Sequence, residues 1–365
     1  MPEPPDGTDA ACSPGDGEIQ LGMSKKMQSA SLRLGFVPLT DCAPLVMAHE
    51  LGLFRKFDLR VSLQRELGWA TVRDKIIHRE LDAAHALAPM PLAAVLGLGS
   101  VPCDCLTALV LSMNGNGITV STRLFDCCYK RGTSFIKEIR RLRREQIFTF
   151  GVVAPFSSHR YLLRKWLKGQ GVDPERDVRI VVVPPPQMVS NLKTGNLDGF
   201  CAGEPWNTAA AAARVGVCVA TSDELDPRHP EKVLMVRREF AEKRAPEHIR
   251  LVAALLEACE WCAERDNRDR LITTLARPEY VGVSAASLRR GVEESCLFPD
   301  RNHAGPSDDK AAWTLELMRT SGLCPQPELL NMALARRAFR LDHFEQAVGL
   351  LSANPTRQDY ETVRT

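Results

Sequence analysis

Four things are missing from this sequence of 365 residues, and each absence removes a class of protein. An excess of charge is the first: 47 Lys and Arg stand against 45 Asp and Glu, a net charge of +2 that argues against nucleic acid as a direct ligand. A membrane span is the second. The most apolar stretch, AHALAPMPLAAVLGLGSV at 84–101, holds a histidine and two interior prolines and falls short of the roughly 20 apolar residues a span needs. Third, the first 30 residues show no basic start followed by an apolar run of about 7–15 residues, and Cys12 follows no apolar region. The expectation is a chain that stays in the cytoplasm. Finally, the sequence has no P-loop, no G-x-G-x-x-G after a strand, no G-x-S-x-G and no H-E-x-x-H, so neither catalysis nor a cofactor is expected.

What is present begins with twelve cysteines. In a reducing compartment they remain thiols, and a chain of this length, 44% hydrophobic, builds its own cores without disulfides. Cys259 and Cys262 form a C-x-x-C inside HIRLVAALLEACEWCAERD, where a spacing of three puts both on the apolar face of an amphipathic helix. No second pair completes a zinc site, so no metal is expected. The vicinal pair Cys127 and Cys128 also reads as structural, with a redox role as the sharper alternative.

Along the chain, LRLGFVP (32–38), CAPLVMAHELGLFRKF and DLRVSLQ open as strand, helix, strand. The alternation continues with a helix at 69–79 and strands at 82–86 and 106–112. It resumes with strands near 147–153, 178–183 and 197–201 and helices at 158–169 and 187–194. This is the pattern of parallel sheets covered by helices. ELDAAHALAP (80–89) and NLDGFCAGEP (196–205) share Leu-Asp with a proline seven residues after the Asp, which suggests two related lobes. Beyond about 245 strands cease, and helices are expected at 247–265, 267–277, 284–293, 308–320 and 328–339.

Four segments place hydrogen-bond donors just past strands, where open α/β sheets bind ligands. Trp69 in GWATVRDK offers an indole N–H, a donor only, although a half-buried structural tryptophan is the plainer reading. NGNG (114–117) reads as a turn in which Asn116 offers an amide. In APFSSHRYLLRKWL, Ser157, Ser158 and His159 open a helix whose N-terminus suits an anion, and either serine can simply be the N-cap. Lys232 in RHPEKVLMVRR precedes a strand-like run. VVVPPPQMV (181–189) and CAGEPW (201–206) are proline-stiffened loops that wall a pocket, and Glu204 reads as an ion-pairing residue between lobes. The helix SFIKEIRRLRREQ (134–146), with Ile136, Ile139 and Leu142 on one face and Arg140, Arg141, Arg143 and Arg144 elsewhere, is a candidate partner surface or an ordinary solvated helix.

Taken in order, GWATVRDK, LDAAHALAPMP, VVVPPPQMV, LDGFCAGEPWN and HPEK resemble the nitrate- and bicarbonate-binding proteins of the NrtA/CmpA type over roughly residues 31–300. The resemblance implies a two-lobed α/β fold of the periplasmic-binding-protein type II class, with a hinge and extra C-terminal helices. It implies a nitrate or nitrite site at Trp69, Asn116, His159 and Lys232, with Pro185, Ala202 and Gly203 as nearby wall. Asn116 departs from the glutamine usual in that family. Lys232, where bicarbonate members resemble a design with an acidic residue and a metal, implies nitrate or nitrite held without one.

The expected organisation is a disordered tail over 1–30, lobe I over 31–119 and 233–345, lobe II over 120–232, and a C-terminal tail over 346–365. Trp69 and Asn116 then come from lobe I, His159 from lobe II, and Lys232 lies near the return crossing. Lacking an export signal, the chain resembles the cytoplasmic NasS-type sensors. These pair with an ANTAR-type RNA-binding antitermination protein and release it when nitrate or nitrite binds. The alternatives are the solute-binding component of a nitrate or bicarbonate transporter, against which the cysteines count, and an enzyme of the thiamine-pyrimidine synthase type. That enzyme's histidine- and cysteine-rich iron motif is absent here.

Overall fold

The computed structural model describes residues 31–130, 132–142 and 146–353. The tail expected over 1–30 lies outside the described residues, as do Cys12, Arg143 and Arg144. The α/β alternation builds two sheets. The first holds β1 (Leu32–Phe36), β2 (Val61–Arg65), β3 (Ala83–Leu87), β4 (Cys105–Asn114), β10 (Pro230–Arg237) and β11 (Cys296–Leu297), in the order β11-β4-β10-β3-β1-β2. The second holds β5 (Asn116–Ser121), β6 (Thr149–Val152), β7 (Arg179–Val182), β8 (Gly199–Gly203) and β9 (Gly216–Thr221), in the order β7-β6-β8-β5-β9. Parallel pairs meet strands that run against their neighbours: β10 between β3 and β4 and β11 at the edge beside β4 in the first sheet, and β5 between β8 and β9 in the second.

The short repeat around Leu-Asp proves to be a structural one. Asp82 and Asp198 precede β3 and β8, and each carboxylate accepts the backbone N–H of a neighbouring strand, from Arg33 and Thr149 respectively, at 2.8 Å in both cases. The leucine before each aspartate fills the space over a glycine: a Cβ on Gly35 would lie 2.4 Å from Leu81, and one on Gly151 would lie 2.9 Å from Leu197. Each Leu-Asp pair therefore locks a strand to its parallel neighbour.

The crossing between sheets occurs earlier than a boundary at 119/120 allows. β4 ends at Asn114 and β5 starts at Asn116, so Asn116 belongs to the second sheet and not to lobe I. The NGNG turn is the crossing itself. Asn114 and Gly115 both take positive φ, 57° and 89°, and a Cβ on Gly115 would come 2.7 Å from Cys296 Sγ, so only glycine fits. The return lies between Thr221 and Pro230, which places 230–232 in the first sheet.

Helices Ala43–Glu50, Ala245–Ala263 and Leu341–Ala353 supply much of the first sheet's apolar cover, and a second core joins Trp69, Val72 and Ile76 to Met188, Phe200 and Trp206 across the seam. Leu341–Ala353 takes the place of a tail starting at 346, because Phe344, Ala347 and Leu351 recur at helical spacing and bury. Cys259 and Cys262 are buried on the core side of their helix, as their spacing implies. The eleven described cysteines are all free. The helix expected at 134–146 is observed over Phe135–Leu142, and Phe135 and Ile139 are buried in the second lobe's core with Ile136 and Leu142 packed against it. Its apolar face is thus occupied.

One buried group in this frame dictates how stability varies with pH. His248 is fully buried with neither ring nitrogen hydrogen-bonded, and burial, aided by His343 and Arg340, pulls it down to about 3. In the unfolded chain it would take a proton below about 6.5, while the folded state resists until about 3, so stability falls as pH drops through that window. We expect the group to account for about 2 kcal/mol of loss by pH 5. Urea denaturation of His248→Leu at pH 7 and pH 5 tests this: the variant's midpoint should fall less on acidification than the parent's, and equal falls would count against it.

Candidate functional site

The carboxyl ends of the parallel strands converge on one buried cluster. Asp41 sits in the turn after β1, Trp69 opens the helix Trp69–Ile77 after β2, and His85 lies within β3. Ser158 and His159 open the helix Ser158–Gly169 after β6, Asn116 begins β5, and Glu231 and Lys232 begin β10. Asp41, Trp69, His85, Asn116, His159, His229, Glu231 and Lys232 are each at most 3% exposed. The four residues singled out by the sequence are therefore brought together.

Their connection runs through two carboxylates that sequence reasoning did not assign. Lys232 Nζ lies 2.6 Å from Asp41 Oδ2 and 2.7 Å from Glu231 Oε1. Glu231 Oε2 accepts from Asn116 Nδ2 at 2.7 Å and faces His229 Nε2 at 3.2 Å, while Oε1 stands 3.8 Å from His159 Nδ1. Asp41 Oδ1 faces His85 Nε2 at 2.9 Å. Glu231, from the first sheet, thereby ties Asn116 and His159 of the second-sheet side to Lys232. Adjacent strand residues normally point to opposite faces, but register shifts against β4 on both sides of Lys232 let both members of Glu231-Lys232 reach the cluster. The visible signal was a Glu-Lys pair opening an otherwise apolar strand.

Electrostatics follow from this pairing. Burial alone would raise the Asp41 and Glu231 carboxyls, but Lys232, with His85 for Asp41 and His159 and His229 for Glu231, holds both below the ordinary range, Glu231 well below it. Burial would lower Lys232, and the two carboxylates raise it instead. The lysine's charge is thus already balanced inside the protein. Burial lowers His85, and it brings His159 to about 4 against the pull of Glu231.

Several polar atoms in the cluster have no hydrogen-bond partner: Trp69 Nε1, His159 Nε2, His85 Nδ1, Asn116 Oδ1 and Ser112 Oγ. The Trp69 ring lies 5.4 Å from Lys232 Nζ and 5.3 Å from the His85 ring. Gly203 pairs with Asn116 between β8 and β5, and a Cβ there would sit 3.5 Å from Asn116 Oδ1 and 3.8 Å from Asp41 Oδ2, so it borders the cluster. Ala202 contributes its carbonyl to Asn207 and its methyl to the core. Pro185 is buried in the turn Pro185–Gln187, while its neighbour Pro184 flanks Gly68, the residue before Trp69. Glu204 does link the two sides, but through its backbone carbonyl, which accepts from Thr40 N at 2.8 Å. Its carboxylate, raised by burial, accepts the N–H of Thr208.

A model of the NMT1-like family matches residues 25–276. The chain belongs to that family. Among curated relatives, the nitrate import ATP-binding protein NrtC of Synechocystis sp. is 44% identical over 270 residues, covering 73% of this chain and 40% of that protein. The nitrate/nitrite binding protein NrtA of Synechococcus elongatus is 32% identical over 285 residues, 75% of this chain and 64% of that protein. The chain spans only 40% to 53% of the length of the ATP-binding relatives it matches. Among solved structures, the periplasmic nitrate-binding protein NrtA from Synechocystis PCC 6803 superposes with a TM-score of 0.81 at 26% identity, over 89% of this chain and 90% of that one. The sulphonate-binding SsuA of Escherichia coli gives 0.62 at 17%, covering 85% and 91%. This NMT1-like chain therefore has the periplasmic-binding-protein fold.

Proposed function

We propose that this NMT1-like protein binds nitrate or nitrite between its two sheets and works as a cytoplasmic sensor. In this reading it holds an ANTAR-type RNA-binding antitermination protein and releases it when the anion arrives. The observation that carries the ligand is the pair of buried, unpartnered nitrogens Trp69 Nε1 and His159 Nε2, contributed from opposite sides of the seam beside Lys232, the indole a standing donor and the imidazole nitrogen a donor once protonated. A small planar acceptor matches that donor set. The names of the NrtA relatives support the same anion. ATP binding, named for NrtC, is not carried over, because this sequence has no P-loop. A sensor role is supported by a site fed from both sheets, since an anion bridging them favours one arrangement of the lobes, and by the free thiols.

The reading predicts nitrate binding without added metal. A ceiling of about 1.5 kcal/mol per heavy atom corresponds to a dissociation constant of tens of micromolar. Calorimetry with nitrate, nitrite, bicarbonate and sulfate tests the ligand, and metal-dependent bicarbonate binding in place of nitrate would overturn it. Size-exclusion chromatography with the antitermination protein tests the output. Nitrate should dissolve the complex, and by linkage the partner should weaken nitrate by the same factor, typically about 5- to 150-fold. The relatives' names also favour a second reading, the solute-binding component of a transporter. A complex indifferent to nitrate, with binding to a permease instead, would decide for it.

A further inference from the structure

The helix Ser158–Gly169, whose first turn carries His159 into the buried cluster, presents a different set of residues along its outer face. Arg160, Arg164 and Lys168 recur every four residues and therefore stack on one side, with Lys165 beside them. Together with Pro155, Ser157, Tyr161, Leu317, Thr320 and Ser321, the last three from the helix Asp308–Ser321, they line a cavity of about 210 Å³ between the two helices.

Four cations share this one wall. Their described carboxylate partners are Glu175, which pairs with Arg164 and stands 4.0 Å from Arg160 but is itself largely exposed, and Asp226, 3.7 Å from Lys165. Asp226 is also engaged by the Trp313 indole N–H at 3.0 Å. Arg160 Nε is buried without a hydrogen-bond partner. Ser157, Thr320 and Ser321 donate their hydroxyls to backbone carbonyls, so the donors left for a ligand are the guanidinium and ammonium groups. Guanidinium forks and ammonium groups in one recess suit the oxygens of a phosphoryl group better than a single planar monoanion. The cavity is smaller than the roughly 300–1,000 Å³ usual for drug-sized ligands, which limits the occupant to an anion of pyrophosphate size or a small phosphorylated metabolite.

We infer that this recess is a second anion site, separate from the Trp69–Lys232 cluster, which takes a small multiply charged phosphate compound and clamps the helix Ser158–Gly169 to the helix Asp308–Ser321. The site does not depend on the identity of the ligand in the first cluster.

Pyrophosphate is the probe. Calorimetry on the full chain, repeated with saturating nitrate and at raised salt, should show pyrophosphate binding that nitrate does not displace and that salt weakens. Arg164→Gln/Lys168→Gln should lower its affinity by at least about tenfold, equivalent to about 1.4 kcal/mol, and leave the nitrate isotherm unchanged. Lys165→Gln, with a single exposed charge removed, should produce a smaller loss in the same direction and guards against misfolding of the double variant. Displacement of pyrophosphate by nitrate, unchanged affinity in both variants, or no binding to the parent protein would each overturn the assignment.

Discussion

Lys232→Met should lose about 3–5 kcal/mol of folding stability and should not bind nitrate. Methionine keeps most of the unbranched stem, so the substitution removes charge and little volume. What remains is a fully buried pair of carboxylates, Asp41 and Glu231, that had shared the ammonium at 2.6 and 2.7 Å. A buried ion pair adds little when whole, but breaking one strands charge that the remaining contacts to His85 and Asn116 offset only in part. The effect carries its own signature in pH. Without Lys232, burial should set Asp41 and Glu231 above their unfolded values. Such groups favour folding below those values and oppose it as pH rises, so the deficit should be larger at pH 8 than at pH 5. Adding Glu231→Gln to the variant should restore part of the loss. A urea midpoint within about 1 kcal/mol of the parent at pH 8 would show that the cluster does not depend on its lysine.

The fold was readable where hydrophobic periodicity was strong and partners were close in sequence. The opening strands, the helix behind Trp69, the helix at 158–169 and the Leu-Asp repeat all arise from local chemistry. β5 and β9 were not legible, because their pairing is long-range. NGITVS begins inside a glycine turn, and GVCVAT is too short to stand out without the β5 edge that it completes. The same limit governed the site. Trp69, His159 and Lys232 show as donors past strands, whereas Asp41 and Glu231 gain meaning only when a turn after β1 and a bulged strand from position 230 onward bring them to the same ammonium. Reading a lysine in isolation assigns it a free charge, and only the fold supplies the counterions.

That balance of charge leads to the second large effect: between pH 5 and pH 7 nitrate affinity should fall with rising pH, by up to about tenfold per unit. The groups facing the cluster are Asp41, His85, His159, His229, Glu231 and Lys232. The ring nitrogens of His229 lie 2.8 Å from the Asp226 carbonyl and 3.2 Å from Glu231 Oε2. With Lys232 set against two carboxylates, Asp41 and Glu231, and with burial lowering His85 and bringing His159 to about 4, these groups leave no positive excess to offer an anion. A monoanion entering this buried site needs a counter-charge. His159 can provide it, because its Nε2 is unpartnered and a proton there would point at the newcomer. Free His159, lowered to about 4, is neutral throughout the tested range, so binding takes up one proton and becomes harder as protons grow scarce. Calorimetric titrations in two buffers of different ionisation enthalpy should count close to one proton taken up per nitrate at pH 6. His159→Asn should bind more weakly at pH 5 and lose most of the pH dependence. Equal nitrate affinity at pH 5 and pH 7 with no proton uptake would mean that the cluster admits the anion against its internal carboxylates by lobe rearrangement alone, and the assignment of His159 as the responding charge would fall.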